Sequence, residues 1–446
     1  MTNAISVHLH EWEVRDPTDH GGGDVRGVEL DDAEARRQAE QLSASGKLEI
    51  LEVRRGLRIA STSFVGRIQL GSVVITVKPK IASEQLLALL RYAYGLSNLE
   101  PWSKTEFATG GQIFQDLIVA QFLAEARELL GRGLIRRYVE VAEDLASPRG
   151  RIDVNALARR WPLTDATLPC RHHPRSSDHF LNRLLLSGVR LAGRVAQNRG
   201  LRGALRDVGD RLAEEITPLP IITAGTFQRA DRELNRLSES YRPAIELIHL
   251  LHDGTSLALT DDVATTVPGF LFDMNRFFQA LVGKVLKEHL LEAIIEEEYR
   301  LTGMMRYVVN PRRHDAPTPR PDFLVTVGGK RYPLDAKYRD LWNLKLPPEM
   351  LYQLVMYAMS QPPPSTAAII YPSTSAAATE AMIEIRDPAT GSHRASVALR
   401  PLPILELEAS LSRGEPNARR DDMVRALAFG SGQSRPERLG RAVAGA

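Results

Sequence analysis

The chain has 446 residues, 43% hydrophobic and 25% charged, which is too long for one ordinary core and predicts a soluble protein of two or three domains. Its 57 Lys and Arg stand against 55 Asp and Glu, a net charge of +2, so the whole molecule is no electrostatic sponge and any nucleic-acid contact must come from local clustering. A single cysteine, Cys170, excludes an intramolecular disulfide and a cysteine-based zinc site and fits a reducing compartment.

Residues 1–105 are expected to be β-rich. ISVHLHEWEV alternates as a half-buried strand does, without the basic and apolar order of a secretory signal. A polar Gly-rich stretch and a short helix around DDAEARRQAEQL follow. LEILEVRRGLRIAST and SFVGRIQLGSVVITVKPKI then carry the Gly punctuation of short strands and tight turns. SEQLLALLRYAYGL is an amphipathic helix with Leu86, Leu87, Leu89, Leu90 and Tyr94 on or near one face.

Residues 106–265 are expected to be mainly helical. GQIFQDLIVAQFLAEARELLGRGL has a period near 3.6, RRYVEVAEDLASPRGRIDV is a charged β-like interruption, and SDHFLNRLLLSGVRLAGRVAQ and YRPAIELIHLLHDG are further helices. TTVPGF breaks the pattern near 265. From 266 to 410 a long helix (NRFFQALVGKVLKEHLLEAI) leads through a Pro- and Arg-rich loop to DFLVTVGGKRYPLDAKY, two strands around a Gly-Gly turn. A helix (PEMLYQLVMYAMS), a Pro-rich loop and a strand (AAIIYP) follow, which is an α/β unit. Residues 411–446, rich in Arg, Gly, Ser and Pro, are expected to form a flexible tail. The fold class is therefore α+β multidomain. The apolar runs are all broken well short of a bilayer span, so no membrane association and a cytoplasmic location are expected.

The chemistry-bearing segment is PDFLVTVGGKRYPLDAKY. Asp335 and Lys337 lie two apart on a strand and so project to one side, while the hairpin can bring Asp322 alongside. Tyr332, Leu334 and Ala336 would bury the opposite face. Two carboxylates beside a lysine suit Mg²⁺, which prefers oxygen ligands and retains waters; the lysine can orient such a water, help deprotonate it, or offset charge on a phosphorane. The backbone carbonyl of Ala336 is a further candidate ligand. Gln353 and Tyr357, four apart on the next helix, share a face; Gln353 is expected to bond near the metal water or a phosphate. D-A-K alone recurs by chance, but a Pro-Asp strand, a tight turn, an apolar strand ending in Asp-x-Lys and a following helix together resemble the pattern of PD-(D/E)XK nucleases.

With these motifs in place the chain resembles the McrC family, the nuclease subunits of McrBC-type restriction systems that depend on 5-methylcytosine. The resemblance runs through GLRIASTSFVGRIQLGSVVITVKPKI, LLALLRYAYGL, SPRGRIDV, SSDHFLNRLL, MNRFFQALV, RPDFLV, LDAKY and LYQLVMYA, roughly residues 5–375. It implies an AAA+ GTPase partner of the McrB type, stimulated by this chain through the N-terminal region, and cleavage of double-stranded, modified DNA through Asp322, Asp335 and Lys337. The chain has no GxxxxGK[ST] of its own, so the motor would be another polypeptide. One position departs from the family: Gln279 stands where an acidic residue is common, leaving two carboxylates for the metal. Two other readings compete, a catalytically silent activator of the motor and a stand-alone repair nuclease. Elsewhere, His172 and His173 are expected in an exposed basic loop with no zinc role, and Arg312, Arg313, His314 and Arg320 are either a phosphate grip or a solvated loop.

Overall fold

The computed structural model describes residues 5–19, 23–96, 114–159, 166–255, 269–413 and 417–431. The fold is mixed α/β with several sheets, divided into two compact units, 1–80 with 96–272 and 81–95 with 273–446.

In the first unit, β1 (Ile5–His10), β2 (Val14–Arg15), α1 (Ala33–Ala44), β3 (Leu48–Val53), β4 (Gly56–Ser61), β5 (Phe64–Leu70) and β6 (Val73–Lys78) follow the alternating pattern. Buried Val7, Leu9, Leu57, Ile59, Val73 and Ile75 form their core. After α2 (Ser83–Tyr94), which belongs to the second unit, come α3 (Phe114–Arg132), β7 (Arg137–Tyr138), β8 (Val141–Leu145), β9 (Arg151–Ile152), α4 (Val154–Arg159), β10 (Leu168–His172) and β11 (Arg175–Ser176). They are followed by α5 (Phe180–Val195), α6 (Arg199–Ala213), α7 (Ala224–Glu233), α8 (Arg242–Thr255) and β12 (Gly269–Asp273). β12 returns to the N-terminal sheet, whose order is β1-β6-β5-β12. The close approach requires glycine: a Cβ on Gly66, at φ +142°, would stand 2.1 Å from the carbonyl oxygen of Phe270.

The helical part is tied by one buried polar residue. Asn182 donates to the carbonyls of Ile135 (3.0 Å) and Ser177 (2.7 Å) and accepts from the Tyr241 hydroxyl at 2.6 Å. That hydroxyl accepts in turn from Ile135 N–H at 3.2 Å, so the group is internally satisfied. His172 is a correction to the exposed-loop expectation: it ends β10, is buried at 7% exposure, and its Nε2 lies 2.6 Å from Glu143 Oε1. Antiparallel pairing of β10 with β8 brings the two together, a non-local contact that the polar run CRHHPRSS does not announce.

The second unit holds α2, α9 (Met274–His289), β13 (Ile294–Glu297), β14 (Phe323–Val327), β15 (Lys330–Ala336), α10 (Pro348–Met359), β16 (Thr366–Ser373), β17 (Ala381–Arg386), β18 (His393–Pro403), α11 (Ile404–Ser412) and α12 (Asn417–Phe429). Its six strands run in the order β13-β14-β15-β16-β18-β17. β15 pairs antiparallel with β14 and parallel with β16, so α10 serves as the crossover that a parallel pair needs. Gly328 and Gly329, at φ +56° and +77°, make the two-residue hairpin turn in a conformation closed to most side chains. Part of the expected flexible tail is instead structured: α12 buries Val424, Leu427 and Ala428, and buried Arg400 donates to the carbonyls of Leu427 (3.1 Å) and Ala428 (2.8 Å). Residues 432–446 lie outside the described residues. Among the described residues no helix is long and apolar enough to cross a membrane.

Candidate metal and phosphate site on the β14–β15 hairpin

The β14–β15 register pairs Phe323 with Leu334, and continuing it one step sets Asp322 opposite Asp335. Because β15 is an interior strand, its end is covered, and Asp335 is only 2% exposed. Lys337, two residues on, reaches back over both carboxylates, with Nζ 3.1 Å from Asp335 Oδ2 and 3.9 Å from Asp322 Oδ2. The Ala336 N–H donates to Asp322 Oδ2 at 2.8 Å. Asp335 Oδ1, buried, has no hydrogen-bond partner. Asp322, Asp335, Ala336 and Lys337 are thus brought together as the sequence implied.

The electrostatics follow from this burial. Desolvation, reinforced by the neighbouring Asp322 charge, pushes the Asp335 carboxyl up to about 6. Asp322 is raised in the same direction by burial, against the pull of Lys337 and the Ala336 N–H. Burial works against the Lys337 ammonium, yet Asp335 and Asp322 outweigh it and its pKa is raised. Two carboxylates with one lysine leave a net negative, partly dry site, and Asp335 Oδ1 points a lone acceptor into it. An oxygen-seeking cation fits that donor set. Among the described residues, however, no group of three or more His, Cys, Asp or Glu side chains is placed to hold a metal ion, consistent with a carboxylate pair that would need backbone or water oxygens to complete a shell.

Among the described residues Gln353 makes no hydrogen bond to the aspartates. Its Nε2 donates to the Tyr357 hydroxyl at 2.6 Å, and that hydroxyl donates to the Arg320 carbonyl at 2.8 Å, two residues before Asp322. Burial and the Asp335 charge push the Tyr357 phenol up to about 12. Gln279 is half-buried on α9 and, among the described residues, makes no hydrogen bond to Asp322, Asp335 or Lys337. Arg312, Arg313 and His314 lie in an exposed loop pinned by Asn310, which bonds the His314 N–H and carbonyl; Arg320 pairs with Glu298 at 3.3 Å.

Two neighbours of the site were not foreseen. Asn275, in the first turn of α9, accepts from the Tyr338 N–H at 3.1 Å and so fixes the chain just after Lys337. The Glu298 N–H donates to the Asp322 carbonyl at 2.8 Å, and its carboxylate adds to the upward shift of Asp322. The Asp273 cap, which accepts from the Asn275 and Arg276 N–H groups, was the readable signal for the first. Glu298 sits at φ +50° and nothing local marks it.

A family model described as "McrBC 5-methylcytosine restriction system component" matches residues 59–372. No curated protein matches the chain. Among solved structures, a refined half-complex from a tetradecameric assembly of Thermococcus gammatolerans McrB AAA+ hexamers with bound McrC is similar in fold, with a TM-score of 0.54 and 21% identity, covering 92% of this chain and 99% of that one. The cryo-EM structure of the Thermococcus gammatolerans McrBC complex also matches, at TM-score 0.44 and 21% identity over 64% of this chain and 88% of that one. Since the family model takes in most of the chain, the Asp322–Lys337 hairpin included, the chain belongs to the McrBC family of 5-methylcytosine restriction system components.

Proposed function

We propose that the chain is the DNA-cutting subunit of an McrBC-type restriction system, a Mg²⁺-dependent endodeoxyribonuclease of the PD-(D/E)XK type that docks on an AAA+ GTPase of the McrB type and stimulates it. One observation carries the nuclease reading: Asp335 is a buried carboxylate with an unpartnered oxygen, set beside a second carboxylate and a lysine. A fold gains no stability from such a group, and arrangements of this kind concentrate where chemistry is done. The partner comes from the family and from the fold likeness to an assembly in which McrB hexamers carry bound McrC. We assign cutting to residues 266–410 and motor contact to the β-rich region 1–105, with the helical region 106–265 between them.

Asp322 and Asp335 would hold the Mg²⁺, with the Ala336 carbonyl as a third oxygen donor. A divalent cation there supplies Lewis-acid stabilisation of phosphate charge and makes water acidic enough to attack. Lys337, kept protonated by its two aspartates, donates hydrogen bonds to the attacking water or to the phosphate as negative charge builds. Gln353 acts through Tyr357, which anchors the Arg320 carbonyl and so the start of the Asp322 strand. No covalent enzyme intermediate is needed.

The test is plasmid cleavage with Mg²⁺ by wild type and Asp335→Ala, each with and without the AAA+ partner, on methylated and unmethylated DNA. Partner-dependent cutting of methylated DNA that Asp335→Ala abolishes is the expected result. A second reading, an activator that cuts nothing, is favoured by Gln279, which stands where family members commonly place an acidic residue. It predicts stimulated NTP hydrolysis by the partner with intact plasmid in every lane. Cutting by the chain alone, indifferent to methylation, would instead mark a stand-alone repair nuclease.

A further inference from the structure

A groove of about 740 Å³ crosses the helical part of the first unit, walled by α5, α6 and segment 218–222. Arg190 and Arg194 line it from α5, Arg202 and Arg206 from α6. Residues four apart on a helix share a face, so each helix presents a pair of guanidinium groups to the same space. All four arginines are exposed. Arg202 makes one long hydrogen bond, to the Gln197 carbonyl at 3.4 Å, and its charge also acts on the Asp116 carboxylate; among the described residues the other three have neither a hydrogen bond nor an ion pair. Arg183, earlier on α5, shows the contrast, held by Asp178 at 2.7 Å. Among the described residues of the lining Asp210 is the only acidic one, and Leu191, Leu205 and Leu219 contribute apolar floor.

A chain with a net charge of only +2 has thus concentrated an excess of positive charge in one concave place, four arginines against one aspartate, on two walls and at a repeating spacing. Like charges at this spacing repel, and an anion between the walls relieves that repulsion. Guanidinium forks suit phosphate oxygens, and a row of them suits a polymer with regularly spaced charges better than a single anion. In a 5-methylcytosine restriction system component that polymer is DNA.

We propose that this groove holds the sugar–phosphate backbone of DNA, as a contact separate from the β14–β15 hairpin and carried by the other unit. It would position DNA without reading its sequence. The proposal rests on the reading of this chain as one that acts on DNA, but its test does not depend on cutting.

The experiment is fluorescence anisotropy of a labelled duplex titrated with the full chain in EDTA over a series of salt concentrations. The variant carries Arg190→Gln, Arg194→Gln, Arg202→Gln and Arg206→Gln. Each lost phosphate contact lowers the slope of log K against log salt by about 0.9, so the variant is expected to lose roughly 2–4 from the slope and at least tenfold in affinity at low salt. Each pair changed alone should give about half that change in slope. These exposed arginines support no core, so melting should match wild type; if the quadruple variant melts early, the two pair variants decide. An unchanged slope overturns the proposal. So does loss of NTPase stimulation in the partner with DNA binding intact, which would make the groove a protein contact. If Asp335→Ala still cuts DNA, the nuclease assignment fails and the groove measurement stands on its own.

Discussion

Replacing Asp335 by asparagine keeps the side chain's shape on a buried strand and removes its charge. In the folded chain the Asp335 carboxyl titrates at about 6, against an ordinary value of 3.8, a gap worth about 3 kcal/mol against the ionised form. The folded state therefore binds this proton more tightly than the unfolded chain does. Below about pH 4 both states are protonated and there is no penalty. Through the window from about 4 to 6 stability falls as pH rises, and above it the whole penalty is present. Asparagine does not titrate and escapes it. In metal-free buffer at pH 8, Asp335→Asn should be more stable than wild type by up to about 3 kcal/mol, or roughly 6–12 °C in melting temperature. The gap should shrink when the melts are repeated at pH 5. Mg²⁺ should raise the wild-type melting temperature, leave the variant's unchanged and, with the AAA+ partner present, support cutting by wild type but not by the variant. A variant less stable than wild type at pH 8 in EDTA, or a gap that does not change with pH, would refute the reasoning.

Three structural predictions accompany it. Tyr241→Phe strips Asn182 of its donor and Ile135 N–H of its acceptor inside a buried cluster, so urea melts should show a loss of about 1–3 kcal/mol. Gly66→Ala drives a Cβ to 2.1 Å from a main-chain oxygen of Phe270 at a positive φ; backbone cannot step aside as a side chain can, and a loss of at least about 3 kcal/mol is expected from thermal melts. Truncation after Arg413 removes α12 and with it the acceptors of buried Arg400 and the Phe429 ring packed edge-on to Tyr332 at 4.9 Å. Early melting of the second unit is expected, with each lost aliphatic contact worth about 1.5–3 kcal/mol; unchanged melting would restore 417–429 to the status of a tail.

What was legible in the sequence was whatever is decided locally. α3, α5, α8, α9 and α10 appear where period-3.6 segments placed them, because one apolar face is enough to specify such a helix. α6 went unnamed although Leu201, Leu205, Val208 and Leu212 are buried at helical spacing behind an Asn198 cap; its signal was present but diluted by arginines and glycines. α12 is different in kind. Among the described side chains of NARRDDMVRALAF the buried ones fall in its second half, so no stripe runs its length. β12 joins a sheet whose other strands lie some two hundred residues earlier, a pairing no local pattern encodes. β17 and β18 were missed for a related reason: AMIEIR is mostly exposed as an edge strand, and the eleven residues of β18 are interrupted by charges that find partners only in the folded sheet.

The candidate site divides along the same line. Asp322 meets Asp335 through a two-residue turn and a register that the Gly-Gly dipeptide sets, so their juxtaposition is a property of one short segment. Their inequality is not. Asp322 is part-exposed and receives the Ala336 N–H, whereas Asp335 sits on an interior strand with one oxygen held by Lys337 and the other held by nothing. That difference arises from β16 and from the packing around the end of β15, which the tripeptide Asp-Ala-Lys does not reveal. It also makes the two aspartates unequal as ligands. Asp322 keeps a hydrogen bond when no cation is bound; Asp335 has none for its inner oxygen and so gains more from one. A cation should therefore be lost more completely on replacing Asp335 than on replacing Asp322, and the stability gained without metal should belong mainly to the Asp335 variant.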